Sequence, residues 1–253
     1  MNAQPTQQHG FTLVEMAVVL LIVAMLIGGG LSVVSTQIEA QKFKDTQKAL
    51  EDAKESLLGY AASHSEVAAP STHPYLPCPD KTTAPGAGTA NDGIEDRTPA
   101  GTCVVTIGAE AEGNLPWVTL GINGTDAWGN RIRYRVTQVF ANSQTGIRLT
   151  NTGTLTVNTL NNLGVTVAAA TSVPAVVLSH GPNAWGAISA NGQAIPAPPI
   201  ANVNETQNAN ADNTFVSNTP VIAGGTGGEF DDIVGWLPAS LIFNRMLQSG
   251  KLP

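Results

Sequence analysis

The N-terminal part of the chain changes abruptly from polar to apolar. Residues 1–10 contain no apolar run, whereas residues 16–34 carry no charge and consist almost wholly of apolar or small side chains. A helix of that length rises about 28 Å, close to the hydrocarbon thickness of a bilayer. A core helix of a globular protein is usually shorter and has one polar face. The pattern therefore predicts a membrane-spanning helix segment at about 11–34.

A second helical pattern follows directly. From residue 43 to residue 60, apolar or small residues recur at alternating steps of three and four, and mostly polar or charged residues stand between them. The recurring residues are Phe43, Thr46, Leu50, Ala53, Leu57 and Tyr60. This spacing places one stripe along a single helix face. We predict one helix over residues 11–63, with an amphipathic half at about 35–63 that packs under the remaining domain.

Beyond residue 63 the pattern is typical of a β-rich domain. Residues 131–136 alternate polar and apolar, as a half-buried strand does, and residues 146–157 and 164–167 are rich in Thr, Val, Leu and Ile. Residues 175–179 form the apolar run of a buried strand. We predict an α+β fold, in which the long helix packs on an antiparallel sheet within a head of residues 64–253.

Composition narrows the class of protein. Only 12% of the residues are charged, and no charged residue occurs between Arg148 and Glu205. A surface of hydroxyls and amides is typical of an exported or surface-exposed domain, and a low-complexity loop is the alternative. The net charge of −7 disfavours nucleic acid as a partner, because phosphate contacts need clustered Lys and Arg.

The two cysteines, Cys78 and Cys103, are the even number expected of an exported domain with one bridge. They bracket a polar, glycine-rich segment that has few apolar residues with which to form a core. A disulfide between them stabilises the head by about 3 kcal/mol on the chain-entropy model. Two unrelated buried thiols are the alternative.

Residues 10–15, Gly-Phe-Thr-Leu-Val-Glu, stand immediately before the apolar stretch. They resemble the cleavage and methylation signature of type IV pilins and of the pseudopilins of type II secretion. The resemblance implies a leader at residues 1–10, cut off between Gly10 and Phe11 by a prepilin peptidase that then methylates the Phe11 amine. The leader departs from the family in having no Lys or Arg. The alternative, a secretory signal peptide, needs a basic start and a cleavage site after the apolar core.

Glu15 is a carboxylate at the edge of the predicted membrane helix, where an unpaired charge is costly. One interpretation is that its side chain reaches the headgroup level. The other is that it pairs with the Phe11 amine of a neighbouring subunit and sets the register of assembly, an attraction that strengthens where water is excluded.

The resemblance also implies partners and a location. The partners are other pilin or pseudopilin subunits, the prepilin peptidase and an inner-membrane assembly platform. The chain is expected to cross the inner membrane once, with its head in the periplasm, before it enters a pilus or pseudopilus. Two head segments, residues 126–130 and 227–236, are similar to elements of major pseudopilins.

Two groups of carboxylates are candidate calcium ligands. Asp92 and Asp96 lie around a glycine turn, and Ca²⁺ prefers several such oxygens; a solvated acidic turn is the alternative. Asp231 and Asp232 lie in the segment that resembles a family loop able to bind calcium. The alternative is that these two carboxylates cap the segment that follows them. We expect no other cofactor.

Enzymatic signatures are weak. Ser179 and His180 are adjacent, but the Gly-x-Ser-x-Gly elbow of serine hydrolases does not surround them, and neighbouring strand residues point to opposite faces. We therefore predict that the protein is not an enzyme. It is expected to be a structural subunit, minor pilin or pseudopilin, that polymerises through its N-terminal helix. A membrane-anchored adhesin outside any filament is the alternative function, and a tethered hydrolase is a further rival.

Overall fold

A computed structural model describes residues 10–65, 73–84, 86–161, 164–222, 224–225 and 227–252; for residues 26–34 only the backbone is described. The chain divides into two units, Met1–Lys42 and Phe43–Pro253. Apart from Gly10, the predicted leader at residues 1–10 lies outside the described residues.

The described residues form five helices and eight strands. The helices are α1 (Leu13–Ser63), α2 (Trp117–Leu120), α3 (Gln138–Ala141), α4 (Val203–Ala209) and α5 (Ala239–Gln248). The strands are β1 (Thr106–Ile107), β2 (Glu110–Asn114), β3 (Arg133–Thr137), β4 (Leu155–Leu160), β5 (Thr166–Val173), β6 (Ala175–Ser179), β7 (Thr214–Val216) and β8 (Ile233–Leu237).

The smaller unit contains the first part of α1. The side chains of residues 13–25 are all exposed. Among the described residues, no helix combines the length and the apolar character that crossing a membrane requires. The predicted span of about 11–34 includes residues 26–34, whose side chains lie outside the described set.

The larger unit contains most of the amphipathic part of α1, and its predicted apolar stripe is buried from residue 46 onward, while Phe43 is half-buried. Leu50, Ala53 and Leu57 are at most 2% exposed, and Thr46 and Tyr60 are also buried. They belong to, or lie beside, a cluster that includes Tyr134, Val136, Val177, Leu237, Ile242 and Met246. The predicted α+β arrangement, a helix packed on an antiparallel sheet, is confirmed.

The larger unit contains two sheets. The first has five strands in the order β1-β2-β3-β6-β8, and every pairing in it is antiparallel. The second has the order β5-β4-β7, with β4 and β5 antiparallel and β4 and β7 parallel. The first sheet is the one that α1 and α5 cover.

Strand β6 is buried on both faces, as its uninterrupted apolar run predicted. Ala175 and Val177 join the core under α1, whereas Val176 and Leu178 join a second cluster. That second cluster is formed with Leu155, Val157, Val173 and Phe215. Because successive side chains of a strand point to opposite faces, β6 connects the two cores.

Three of the predicted strands differ from the observed ones. Strand β3 is almost entirely buried instead of half-buried, because Arg135, only 1% exposed, is covered by residues 211–213. The predicted strand at 146–157 begins only at Leu155, and the strand predicted at 164–167 runs as β5 to Val173. Strand β5 is exposed along most of its length and lies at a sheet edge, so it forms through pairing with β4 and not through burial.

The predicted disulfide between Cys78 and Cys103 is present, and both residues are buried. A half-buried ion pair of Glu95 and Arg97 lies beside it. Glu95 accepts hydrogen bonds from the hydroxyl of Tyr60 at 2.8 Å, the backbone N–H of Cys78 at 2.9 Å and Arg97 at 2.8 Å. The bridge and this carboxylate together attach the 78–103 segment to α1.

Replacing both cysteines, Cys78→Ser with Cys103→Ser, should lower the free energy of unfolding by about 3 kcal/mol, because the unfolded chain regains the freedom of a 25-residue loop. Chemical denaturation of the full chain in detergent measures this. The wild-type protein under reducing conditions should match the double variant, and equal stability of the oxidised wild type and the variant would contradict the prediction.

Candidate functional site

The processing signature lies at the start of α1. Gly10 and Phe11 precede the helix, which begins at Leu13, and Phe11 is 84% exposed. The peptide bond between them therefore lies outside the helix, in an exposed part of the chain. This placement is compatible with the predicted cleavage between Gly10 and Phe11.

Thr12 and Glu15 form a capping box at the N-terminus of α1. The backbone N–H and the hydroxyl of Thr12 donate to the Glu15 carboxylate at 2.8 and 2.9 Å, and the Glu15 N–H donates to the Thr12 hydroxyl at 3.2 Å. This reciprocal arrangement satisfies N–H groups that the first turn of a helix leaves free. In the isolated chain the Glu15 carboxylate is thus bonded within its own helix. The Thr-x-x-Glu spacing of residues 12–15 is the sequence signal for this capping box.

A second candidate site lies in the larger unit, where three buried carboxylates meet. Glu205 comes from α4, and Asp231 and Asp232 come from the segment before β8. One oxygen from each of the three lies within 4.8 Å of the others, and all three side chains are buried. We call Glu205, Asp231 and Asp232 the carboxylate trio. The structure brings Asp231 and Asp232 together as candidate ligands and adds Glu205.

Amide groups hold the carboxylate trio in place. Asn183 and Asn202 donate from their side chains to the two oxygens of Glu205 at 2.6 and 2.9 Å. Asn208 donates to Oδ2 of Asp232 at 2.8 Å, and the Asn183 backbone N–H donates to Oδ2 of Asp231 at 3.2 Å.

Two carboxylate oxygens of the carboxylate trio make no hydrogen bond to any described residue. Within the described residues, Oδ1 of Asp231 and Oδ1 of Asp232 are buried and have no hydrogen-bond partner. Each of these two carboxylates is thus fixed through one oxygen, while the other oxygen makes no hydrogen bond in the described structure; that of Asp232 lies 3.5 Å from Nδ1 of His180. Oxygen donors arranged in this way suit a hard divalent cation such as Ca²⁺.

Burial sets the protonation of the carboxylate trio. The pKa of Asp231 is raised to about 8, chiefly by burial and also by the nearby charges of Glu205 and Asp232, while the Asn183 N–H opposes the shift. Burial also raises the pKa of Glu205. Three buried negative charges repel one another, so without a cation Asp231 holds a proton at neutral pH.

Two arginines of β3 position α4 and therefore Glu205. Arg133 donates to the carbonyls of Asn208 and Asn210, and Arg135 donates to the carbonyl of Ala211 at 2.8 Å. Glu112 of β2 pairs with both guanidinium groups. A neutralising carboxylate lets these charges be buried, and they attach the end of α4 to the first sheet.

Asp92 and Asp96, the other predicted calcium ligands, are used locally. Oδ1 of Asp92 accepts the N–H of Ile94 at 2.9 Å, and Oδ2 of Asp96 accepts the N–H of Lys81 at 2.8 Å. The Lys81 ammonium group, almost fully buried, donates to two carbonyls of the same loop. In the described parts of the chain these two aspartates have no third ligand within the distance that joins the carboxylate trio.

Ser179 and His180 contact different carboxylates. The Ser179 hydroxyl donates to Oδ2 of Asp126 at 2.7 Å, whereas Nδ1 of His180 lies 3.5 Å from Oδ1 of Asp232. Asp126 also accepts the N–H groups of Trp128 and Asn130 through its other oxygen, so Ser179 attaches the 126–130 turn to β6. The arrangement is structural and does not pair the serine with the histidine.

Comparison with known proteins identifies the N-terminal signature. Residues 5–31 match the prokaryotic N-terminal methylation motif, the processing signal of type IV pilins and type II secretion pseudopilins. Comparisons with curated proteins and with solved structures return no significant match. The motif implies a pilin or pseudopilin that a prepilin peptidase processes, and it suggests a structural, non-enzymatic protein.

The raised pKa of Asp231 makes stability depend on pH. The folded protein, whose pKa for Asp231 is about 8, binds a proton more tightly than the unfolded chain, for which the value is 3.8. The stability from this group is therefore fully present below about pH 4 and is lost as the pH rises through about 8. When a chelator removes divalent cations, the free energy of unfolding of Asp231→Asn should fall less with rising pH across this range than that of the wild type.

Thermal or chemical denaturation at a series of pH values measures the effect. Asp212→Asn changes an exposed acidic residue at the end of the α4 segment and serves as the control. An Asp231→Asn protein whose stability declines with pH as steeply as that of the control would show that Asp231 is not protonated in the folded state.

Proposed function

We propose that this protein is a structural subunit, a minor pilin or pseudopilin, of a type IV pilus or a type II secretion pseudopilus. The observation that carries the proposal is the match of residues 5–31 to the N-terminal methylation motif. The exposed Gly10–Phe11 bond before the start of α1 supports it. Prepilin peptidase cleaves this bond, discards residues 1–10 and methylates the Phe11 amine.

After processing, the chain is anchored in the membrane with its head exported, and it is then added to the filament. Residues of about 11–34 anchor the chain in the inner membrane with a single crossing, and residues 64–253 form the head in the periplasm. The disulfide between Cys78 and Cys103 supports this location, because such bridges persist in oxidising compartments. An assembly platform in the inner membrane then adds the subunit to the filament, where N-terminal helices of neighbouring subunits pack together.

Glu15 links processing to assembly. Before assembly its carboxylate caps its own helix through Thr12. Cleavage creates a positively charged amine at Phe11, and a neighbouring subunit brings such an amine to Glu15 inside the filament. In that water-poor environment the full positive charge of the amine attracts the carboxylate more strongly than the neutral N–H and hydroxyl donors of Thr12 do. Glu15 therefore exchanges partners and sets the register between subunits.

The carboxylate trio is proposed to bind Ca²⁺. Glu205, Asp231 and Asp232 supply hard oxygen donors, and two of these oxygens are buried without a hydrogen-bond partner in the described residues. A bound cation offsets the repulsion among the carboxylates and connects α4 to the segment before β8. Its role is to stabilise the head, and no reaction passes through it.

Glu15→Ala should be processed normally but should be lost from filaments, because the subunit no longer has a carboxylate for the neighbouring amine. The measurement combines the amount of the subunit in sheared filaments with the mass of its N-terminus, which should begin at Phe11 carrying one methyl group. Thr12→Ala is the matched control, because it removes the capping box, worth about 1 kcal/mol, and keeps the carboxylate.

We expect Thr12→Ala to assemble. Filaments that contain the Glu15→Ala subunit at wild-type levels would rule out the register role. A mature chain that begins at Met1, or beyond residue 30, would rule out the processing pathway itself.

Calcium binding to the full chain in detergent should weaken by about tenfold or more in Glu205→Gln, because one charged ligand becomes neutral. Titration calorimetry measures it, and in the wild type saturating calcium should raise the free energy of unfolding by about 2.7 kcal/mol at a hundredfold excess over Kd. Asp92→Asn is the control and also tests the other predicted site. Loss of binding in Asp92→Asn but not in Glu205→Gln would assign calcium to the 92–96 loop instead.

A further inference from the structure

A separate cavity of about 280 Å³ lies in the larger unit. Its lining includes four apolar side chains, which together we call the apolar wall: Val105, Ile107, Ala187 and Ile188. The polar side chains that line it are those of Thr82, Glu112, Asn114, Arg131, Arg133 and His180. No residue of the carboxylate trio is part of this lining. The volume is slightly below the roughly 300–1,000 Å³ typical of pockets for drug-sized ligands, so it suits a small molecule.

One arginine of the cavity wall forms no salt bridge with any described residue. Glu112 is neutralised by Arg133 and Arg135, and Arg133 has further acceptors in the carbonyls of residues 208 and 210. Arg131, by contrast, forms no salt bridge in the part of the chain that the structure describes and is attracted only at longer range by the buried Asp80. Its Nε is buried without a hydrogen-bond acceptor there.

Arg131 is held rigidly. Its guanidinium group lies 3.7 Å above the ring of Trp117, and one of its nitrogens donates to the carbonyl of Ala190 at 2.8 Å. The Trp117 ring is itself fixed between Gly93 and Gly124, where any side chain would collide with the indole. A guanidinium group whose position is set in advance loses little freedom when it binds a planar anion.

His180 lines the same cavity and adds a second polar group without a hydrogen bond in the described chain, although its Nδ1 lies 3.5 Å from Oδ1 of Asp232. Its side chain is 1% exposed, and among the described residues neither ring nitrogen makes a hydrogen bond. Buried polar groups normally have partners, because leaving one without a hydrogen bond costs free energy. Two unused polar groups lining one cavity indicate a ligand that supplies acceptors to both.

The chemistry of the cavity distinguishes among ligand classes. A neutral sugar leaves the Arg131 charge unpaired, and the face of Trp117 that it would stack on is already covered by the guanidinium group. Inorganic phosphate leaves the apolar wall unused. A carboxylate suits the planar guanidinium group, and a short uncharged body suits the apolar wall, which includes Ile107 and Ile188.

We infer that this cavity binds a small organic acid, whose carboxylate is held by Arg131 and His180 and whose uncharged body packs on the apolar wall. The acid is the end of a short peptide or an acidic monosaccharide, since both present a carboxylate on a compact body. This activity goes beyond the proposed filament role and does not depend on it, because binding occurs within a single head.

The test measures binding of four probes to the full chain in detergent by titration calorimetry. N-acetylglycine represents a peptide terminus and galacturonate an acidic sugar, and N-acetylglycinamide and galactose are their uncharged counterparts. We expect millimolar or tighter binding of at least one acid, weakening at higher salt, and binding of its uncharged counterpart at least about tenfold weaker. The acid that binds more tightly identifies the source.

Substitutions of cavity residues test whether the acid binds in this cavity. Arg131→Lys keeps the charge but loses the planar fork, so affinity should fall by about tenfold or more. Arg245→Lys, an exposed arginine on α5, is the control and should bind like the wild type. Thr82→Trp fills the cavity from a half-buried wall position and should abolish binding while Arg131 stays intact.

Absence of binding by both acids overturns the inference, as does equal affinity for an acid and its uncharged counterpart. Binding that survives both Arg131→Lys and Thr82→Trp also overturns it. If Arg131→Lys does not fold, as judged by its melting curve, Thr82→Trp decides the outcome alone.

Discussion

Leu50, Ala53 and Leu57 of α1 lose their contact with water against the five-stranded sheet, and the rest of the larger unit is arranged around that contact. Each buried leucine contributes about 1.5–3 kcal/mol by transfer from water. The sheet covers this stripe with one face, so its other face needs a cover of its own. The second sheet and the 208–213 segment provide it, which is why β6 is buried on both sides.

Several of the few charged residues of this chain form ion pairs within the head. Glu95 with Arg97, and Glu112 with Arg133 and Arg135, are all buried or half-buried pairs. A buried pair is a weak source of net stability, but removing one partner is costly because it leaves an unpaired charge. These pairs attach irregular segments to regular ones, the disulfide loop in one case and the end of α4 in the other. Precise placement of Glu205 therefore depends on residues far from it in sequence.

The proposed functions use separate parts of the chain. Processing and register are assigned to residues 10–15, whereas the carboxylate trio and the organic-acid cavity lie in the larger unit. His180 contributes to both of the head sites, since it lines the cavity and lies 3.5 Å from Asp232. A subunit of this design keeps a short, generic assembly signal at one end and leaves the head free to acquire other chemistry.

The sequence alone determined those features whose physics is local. The 3.6-residue repeat specified which face of α1 is buried, the apolar run specified a strand buried on both faces, and the short motif at residues 10–15 identified the processing signal. The paired cysteines were also correctly anticipated. None of these depends on knowing which distant segments meet.

The other features were decided by the tertiary structure, because they depend on long-range contacts that no local sequence pattern contains. The alternation in β3 predicted solvated arginines, but a segment about 75 residues later covers them. Asp231 and Asp232 were recognised, whereas Glu205 had no signal of its own, since α4 brings it to them only after the chain folds. The orphaned polar groups of Arg131 and His180 likewise exist only in the folded protein, where burial removes the water that satisfies them in the unfolded chain.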